Sequence, residues 1–281
     1  MLLQIRHGPK VGPEHHAQPD DGRHDIVLLH GMGANGDLWK PQVVFLEQLG
    51  HRCFVIDLRG HGITDEPGHE ADLDTHIDDV IETIEKISVR LPAVFIGHSL
   101  GALILLHMAQ KRPDAVHKIF AVGAPMRVLP PIKNGFELLL KHIHPNLKDT
   151  WLHPLLPWRQ RTLLSTPEHT LKQIVNSVAD IDLVSAPLKL SCTVHFAAGR
   201  LDPIAPCMYL EQVHKMLPNS TLDIWEWGGH SFFMGSREQS FNTWLSKYLS
   251  AAHDRLSAAH DGLSAAHDGL SEREIANTTT A

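Results

Sequence analysis

The segment Gly97-His98-Ser99-Leu100-Gly101 sets a hydroxyl between two glycines, directly after the apolar run Ala93–Ile96. A chain that leaves a strand and enters a helix this abruptly presents its serine on a sharp turn at the strand's end. Side chains at Gly97 and Gly101 would collide with the neighbouring strand and helix, so the turn demands glycine at both positions. A serine hydroxyl is a weak nucleophile at neutral pH and needs an adjacent base that a carboxylate orients. His230, in Gly228-Gly229-His230-Ser231-Phe232, follows the last apolar run, and the paired glycines make a turn that delivers its imidazole to the same edge. Asp202, just past a strand in Gly199-Arg200-Leu201-Asp202-Pro203, completes the order serine, acid, histidine; Asp180 and Asp182 are its rivals. Acyl transfer also needs donors for a developing oxyanion. The expected pair is the Met32 N–H, in His30-Gly31-Met32-Gly33, and the Leu100 N–H at the free start of a helix.

These parts read as a cofactor-free serine hydrolase acting on a carboxylic ester or thioester, with no metal. Candidate pocket residues are His30, Gly31, His98, Met126, Trp151, Trp158 and Phe232; the two tryptophans belong to an apolar group with Leu152, Leu155 and Leu156. Rival readings on the same triad are an acyltransferase or a cofactor-free lyase or peroxidase, and, from another class, a non-catalytic ligand receptor. The oxyanion segment also contains Gly31-x-Gly33-x-x-Gly36 after a strand, with Asp57 ending the next, which matches a dinucleotide-binding pattern. His30 and Trp39 crowd that turn, and a nucleotide site would leave Ser99, Asp202 and His230 unexplained.

Positioning such a set takes a sheet. Short, mostly unalternating apolar runs at Ile26–Leu29, Cys53–Ile56, Ala93–Ile96, Ile119–Val122, Thr193–Ala197 and Leu222–Trp225 predict strands buried on both faces. Leu2–Ile5 is a possible edge strand. Between the runs, Asp72–Arg90 repeats apolar residues at helical spacing (Ile77, Val80, Ile81, Ile84, Ile87), and Leu100–Lys111, Pro206–Leu217 and Ser236–Leu249 also read as helices. The alternation predicts an α/β fold with a mostly parallel sheet flanked by helices. Pro125–Pro187 breaks the rhythm with several prolines and no convincing strand. It reads as short helices, including Gly135–His144 and Glu168–Val184, and an insertion of that size is more often a functional lid than a bare loop. The expected organisation is core at 1–124, helical lid at 125–187, core again at 188–249 and a tail at 250–281.

The tail repeats Leu-Ser-Ala-Ala-His-Asp from Leu249, Leu256 and Leu263. One strong apolar residue per heptad, with Gly262 and Gly269, opposes a coiled coil and favours a low-complexity appendage. His253, His260 and His267 repeat without the closing geometry of a metal site. A net charge of -7 without long like-charge blocks argues against a nucleic-acid partner. Three cysteines, Cys53, Cys192 and Cys207, make no disulfide framework. The stretch Ala93–Ala109 is too interrupted to span a membrane, and the N-terminal apolar run is too short for a signal-peptide core, so a cytoplasmic protein is expected. No pattern specifies an oligomeric state, and the expected partner is a small ester or thioester substrate.

Taken together, His30-Gly31, Asp57-Leu-Arg-Gly-His-Gly62, Gly97-His-Ser-Leu-Gly101, Gly199-Arg-Leu-Asp202 and Gly229-His230 stand in one order along the chain. In this the sequence resembles the α/β-hydrolase fold superfamily over roughly residues 24–249. The resemblance implies an eight-stranded, mostly parallel sheet, a lid inserted after the sixth strand, and a Ser99–His230–Asp202 triad. Serine at the elbow disfavours the dehalogenases and epoxide hydrolases of that superfamily, which use aspartate there. The Asp57–Gly62 segment reads as structural, with Arg59 and His61 as possible pocket residues.

Overall fold

The computed structural model describes residues 1–9, 23–65, 72–143, 150–186 and 188–250. The repeat tail with His253, His260 and His267 lies outside them. The chain divides into two compact units, Met1–Met234 and a second that starts at Gly235.

In the first unit, seven strands form one sheet: β1 (Gln4–His7), β2 (Ile26–Leu29), β3 (Cys53–Asp57), β4 (Ala93–His98), β5 (Val116–Val122), β6 (Thr193–Gly199) and β7 (Ser220–Trp225). Their spatial order is β1-β3-β2-β4-β5-β6-β7. Only β1 runs antiparallel, against β3 at one edge; all other pairings are parallel. The eight strands implied by the resemblance are therefore seven among the described residues. Among the described residues the helical insertion follows the fifth strand.

Every residue of β2, β3 and β4 is buried, as a strand covered on both faces requires. Seven helices accompany the sheet: α1 (Lys40–Gln48), α2 (Leu73–Lys86), α3 (Leu100–Lys111), α4 (Pro130–Leu138), α5 (Trp158–Ser165), α6 (Glu168–Ser177) and α7 (Cys207–Met216). In α2 the residues Ile77, Val80 and Ile84 recur on one face and are buried, while the Asp72 carboxylate caps the first turn by accepting from the Thr75 N–H. Helix α3 is apolar nearly all round and buries nine residues, which makes it the central helix of the core. The second unit contains α8 (Glu238–Leu249), where Phe241 stacks on Trp244 at 5.3 Å.

Register fixes which residues meet at the sheet's carboxyl edge. Leu29 pairs with Gly97, Gly97 with Ala121 and Ala121 with Phe196. Chain segments leaving β2, β4, β5 and β6 thus emerge along a single rim, and they carry His30, Ser99, Gly123 and Asp202. Open α/β sheets gather their chemistry at this edge for that reason.

The loop after β3 is held from below. Arg59 forms a bidentate pair with Asp79 of α2 at 2.7 and 2.8 Å, with both side chains nearly fully buried. All three cysteines are free and buried, and burial pushes the Cys53 thiol up to about 12. Removing one partner of a buried ion pair leaves an uncompensated charge. Asp79→Asn should therefore lower the unfolding free energy by about 3 kcal/mol in urea titration; a loss below about 1 kcal/mol would place this pair among the weak surface bridges.

Candidate active site

Ser99 is the only non-glycine described residue with positive φ, at 53°. L-residues resist that conformation, so the surrounding structure must impose it. Strand β4 fixes the turn from one side and helix α3 from the other. A Cβ on Gly97 would sit 2.7 Å from the backbone of Gly101 and Ala102, and one on Gly101 would sit 2.6 Å from the His30 carbonyl and 2.7 Å from that of Leu29. The helix and the neighbouring strand are the two bodies that the sequence pattern said would collide there.

The Ser99 hydroxyl lies 3.0 Å from His230 Nε2, and His230 Nδ1 lies 2.8 Å from Asp202 Oδ2. The other Asp202 oxygen accepts from the N–H groups of Ile204 (2.8 Å) and Ala205 (3.0 Å), so the buried carboxylate is anchored at both ends. The two rivals for the acid stand elsewhere: Asp180 is exposed, and Asp182 is held by Arg127 at 2.7 Å and by Ser185. That pairing keeps the Asp182 carboxyl well below the usual carboxylate range.

The segment His30–Gly33, which carries Met32, is locked by two histidines, each accepting a backbone N–H at Nε2. His30 donates from Nδ1 to the Gly31 carbonyl (2.8 Å) and accepts the Leu58 N–H at Nε2 (3.0 Å). His61 donates from Nδ1 to the Arg59 carbonyl (2.8 Å) and accepts the Gly33 N–H at Nε2 (3.0 Å). Gly31 leaves room for Ser99: a Cβ there would lie 3.0 Å from the serine Cβ and 3.0 Å from His98 Nδ1. Asp57 accepts from Arg6 (2.8 Å), the Gly36 N–H (2.6 Å) and the Ile63 N–H (2.9 Å). Burial opposes its charge, but these donors prevail and hold it below the ordinary range. The glycine-rich segment that mimics a dinucleotide fingerprint is thus tied to its own acid internally. Arg59 and His61 likewise serve this framework, as the structural reading of Asp57–Gly62 expects.

His98, inside the elbow itself, is fully buried and donates from Nε2 to the His230 carbonyl at 3.0 Å. Its ring lies 4.8 Å from that of His230 and 5.0 Å from that of Phe233. It therefore braces the loop that delivers the imidazole. Its Nδ1 has no hydrogen-bond partner among the described residues.

A cavity of about 230 Å³ opens beside Ser99 and His230, with Met32 and Leu100 on its wall. Its remaining lining is mostly apolar and comes from the insertion, with Phe136 of α4, Leu163 of α5, and Ile174 and Val175 of α6. None of the seven candidate pocket residues is among the lining. His30, Gly31 and His98 belong to the buried hydrogen-bonded framework around Ser99, Met126 is core, and Phe232 packs on Trp225 at 4.8 Å. Trp151 is 77% exposed, and Trp158 lines a separate cavity with Arg6 and Arg161. The lining helix α6 had a readable signal: Leu171, Ile174, Val175 and Val178 fall at helical spacing. Among the described residues no cluster of histidine, cysteine or carboxylate is arranged to hold a metal ion. No described helix is long and apolar enough to cross a membrane.

Residues 26–179 match the family model described as alpha/beta hydrolase fold. The chain belongs to that family. It is 27% identical over 244 residues to the pimeloyl-[acyl-carrier protein] methyl ester esterase of Vibrio campbellii, covering 76% of this chain and 90% of that one. Among solved structures it is similar to an enol-lactonase from Burkholderia xenovorans LB400, with TM-score 0.71, 19% identity, and coverage of 84% of this chain and 93% of the other. An esterase from Exiguobacterium antarcticum superposes with TM-score 0.69 and 22% identity, covering 80% and 91% of the two chains. At these identities the solved structures speak for the fold.

The buried histidines of this hydrolase make its stability depend on pH. Burial, then the proximity of His61, lowers His30 to about 3 and His76 to about 4. Burial, then the neighbouring His230, lowers His98 well below its ordinary value. The unfolded chain takes up protons below about pH 6.5 that the folded one refuses, at about 1.4 kcal/mol per pH unit for each group. Stability is therefore complete above that pH and falls as pH drops toward 4. Urea titrations at stepped pH should show this loss, with a slope shallower by about one proton in His98→Asn; a flat profile between pH 7 and 5 would contradict it.

Proposed function

We propose that Ser99, His230 and Asp202 are a catalytic triad that cleaves a carboxylic ester or thioester through an acyl-enzyme. The hydrogen-bonded line from Ser99 Oγ through His230 to Asp202, at 3.0 and 2.8 Å beside an apolar cavity, carries this reading. His230 takes the Ser99 proton as Oγ bonds to the substrate's carbonyl carbon. The carbonyl electron pair moves onto oxygen, where the Met32 and Leu100 N–H groups hold it. Its return breaks the bond to the leaving oxygen or sulfur, which receives the proton from His230. A water then repeats the sequence: His230 takes its proton, hydroxyl bonds to the acyl carbon, Ser99 leaves reprotonated, and the acid is released. Asp202 keeps the proton of the resting imidazole on Nδ1, so that Nε2 faces Ser99, and it stabilises the imidazolium.

The ester bond is the choice that the family and the methyl ester esterase of Vibrio campbellii favour. The insertion at 125–187 acts as the lid, since α4, α5 and α6 wall the cavity over Ser99. Residues 1–124 and 188–249 then supply the core, and 250–281 an appendage that the chemistry does not need. No step requires a cofactor.

A fluorophosphonate probe should label the protein, and Ser99→Ala or His230→Ala should abolish labelling. Asp202→Asn should stay folded by circular dichroism while kcat on a reactive ester falls by about ten-thousand-fold. Activity near that of the parent in Asp202→Asn would remove Asp202 from the triad.

A further inference from the structure

The cavity beside Ser99 holds a charge that nothing among the described residues answers. Arg159, in the first turn of α5, lines it together with Ser99, Leu100 and His230. Its Nη1 is buried and has no hydrogen-bond partner, and no carboxylate lies within ion-pair distance of the guanidinium among the described residues. The cavity's own lining contains no acid there either. Its second cation, Lys133 of α4, faces Glu137 at 3.7 Å. Two other inward guanidinium groups are matched among the described residues: Arg59 by Asp79 and Arg6 by Asp57.

An arginine keeps its proton even where burial opposes it, and an unpaired buried cation destabilises the fold that carries it. Burial does lower the Arg159 pKa, with no anion working in the other direction. Arg159 also acts on the site's interior, disfavouring the charged forms of His30 and His98. A guanidinium left open in an apolar cavity is a fork for two oxygens of an anion, and the natural occupant of a hydrolase cavity is the substrate.

We infer that the substrate is an ester that carries a carboxylate on an apolar chain, the carboxylate held by Arg159 and the chain by the walls of α4 and α6. This deepens the ester-hydrolase reading and rests on it. The free guanidinium is then a positive element of selectivity. A neutral ester of the same length leaves it desolvated and unpaired, and so binds less well in the transition state as well as in the ground state.

The test pairs acidic with neutral esters. One arm uses p-nitrophenyl hemiesters of dicarboxylic acids of increasing chain length, which put the carboxylate on the acyl side. The other uses acetate esters of hydroxycarboxylic acids, which put it on the alcohol side. Each is compared with its terminal carboxamide. In at least one arm kcat/KM should favour the acid by about tenfold or more. Arg159→Met should abolish that ratio and Arg159→Lys should retain part of it. A ratio near one in both arms, or one that survives Arg159→Met, overturns the inference.

Two further readouts separate it from the reading beneath it. Calorimetry on Ser99→Ala should show the acidic ester binding more tightly than its carboxamide, in a manner dependent on Arg159, and equal binding overturns the anion site. If that preference is present while the parent protein cleaves neither ester, the hydrolase reading fails and the anion site stands. Thermal melting of Arg159→Met should show a Tm equal to or above that of the parent, because an unpaired buried charge is removed; a marked fall would assign Arg159 a structural role instead.

Discussion

The backbone of Ser99, held at φ 53°, is the constraint on which the rest of the site depends. That conformation is uphill for an L-residue by about 1–3 kcal/mol, and it persists because two rigid bodies close on it. The β4–α3 junction permits a 2.7 Å approach only where Gly97 and Gly101 have no side chains. In return the hydroxyl stands at the sheet's rim, beside the cavity that Leu100, the first residue of α3, also lines. Neighbouring strands then need only place their own exits on that rim. The register does this, since Leu29, Gly97, Ala121 and Phe196 form one row.

Two sets of supports surround this strained point, and they use histidine in different ways. His30 and His61 are hydrogen-bond relays that tie the His30–Gly33 segment to the loop after β3. His98 braces the loop that carries His230 through the His230 carbonyl. Each ring donates from one nitrogen to a carbonyl, so the tautomer is set by the fold. Burial keeps His30 and His98 uncharged, and this links the site's geometry to the protein's response to acid. His230 sits between a carboxylate and a hydroxyl, the setting in which an imidazole exchanges protons usefully.

Where the determinants are local, the sequence was informative. Strand β2 spans the residues its apolar run predicts, and the strand–turn–helix around Ser99 is written in one stretch with its glycines. Asp202 and His230 follow from the same logic, because each leaves a strand at the rim. The edge strand was shifted by two residues, and α1 and α5 were not anticipated; α5 is largely polar and lacks a helical stripe of its own. The pocket was the larger miss. Trp151 and Trp158 suggested walls by type alone, whereas the walls depend on how α4, α5 and α6 pack over the rim. Arg159 is invisible to pattern, because an unpaired guanidinium is defined by the neighbours it lacks.

In the proposed reaction an acyl group passes through Ser99. Quenching the protein with acid during turnover of p-nitrophenyl acetate, followed by peptide mass spectrometry, tests this directly. Acetyl is expected on the peptide bearing Ser99 and is absent from Ser99→Ala. Sustained release of nitrophenol with no acetyl on that peptide, or with acetyl on another residue, would contradict it.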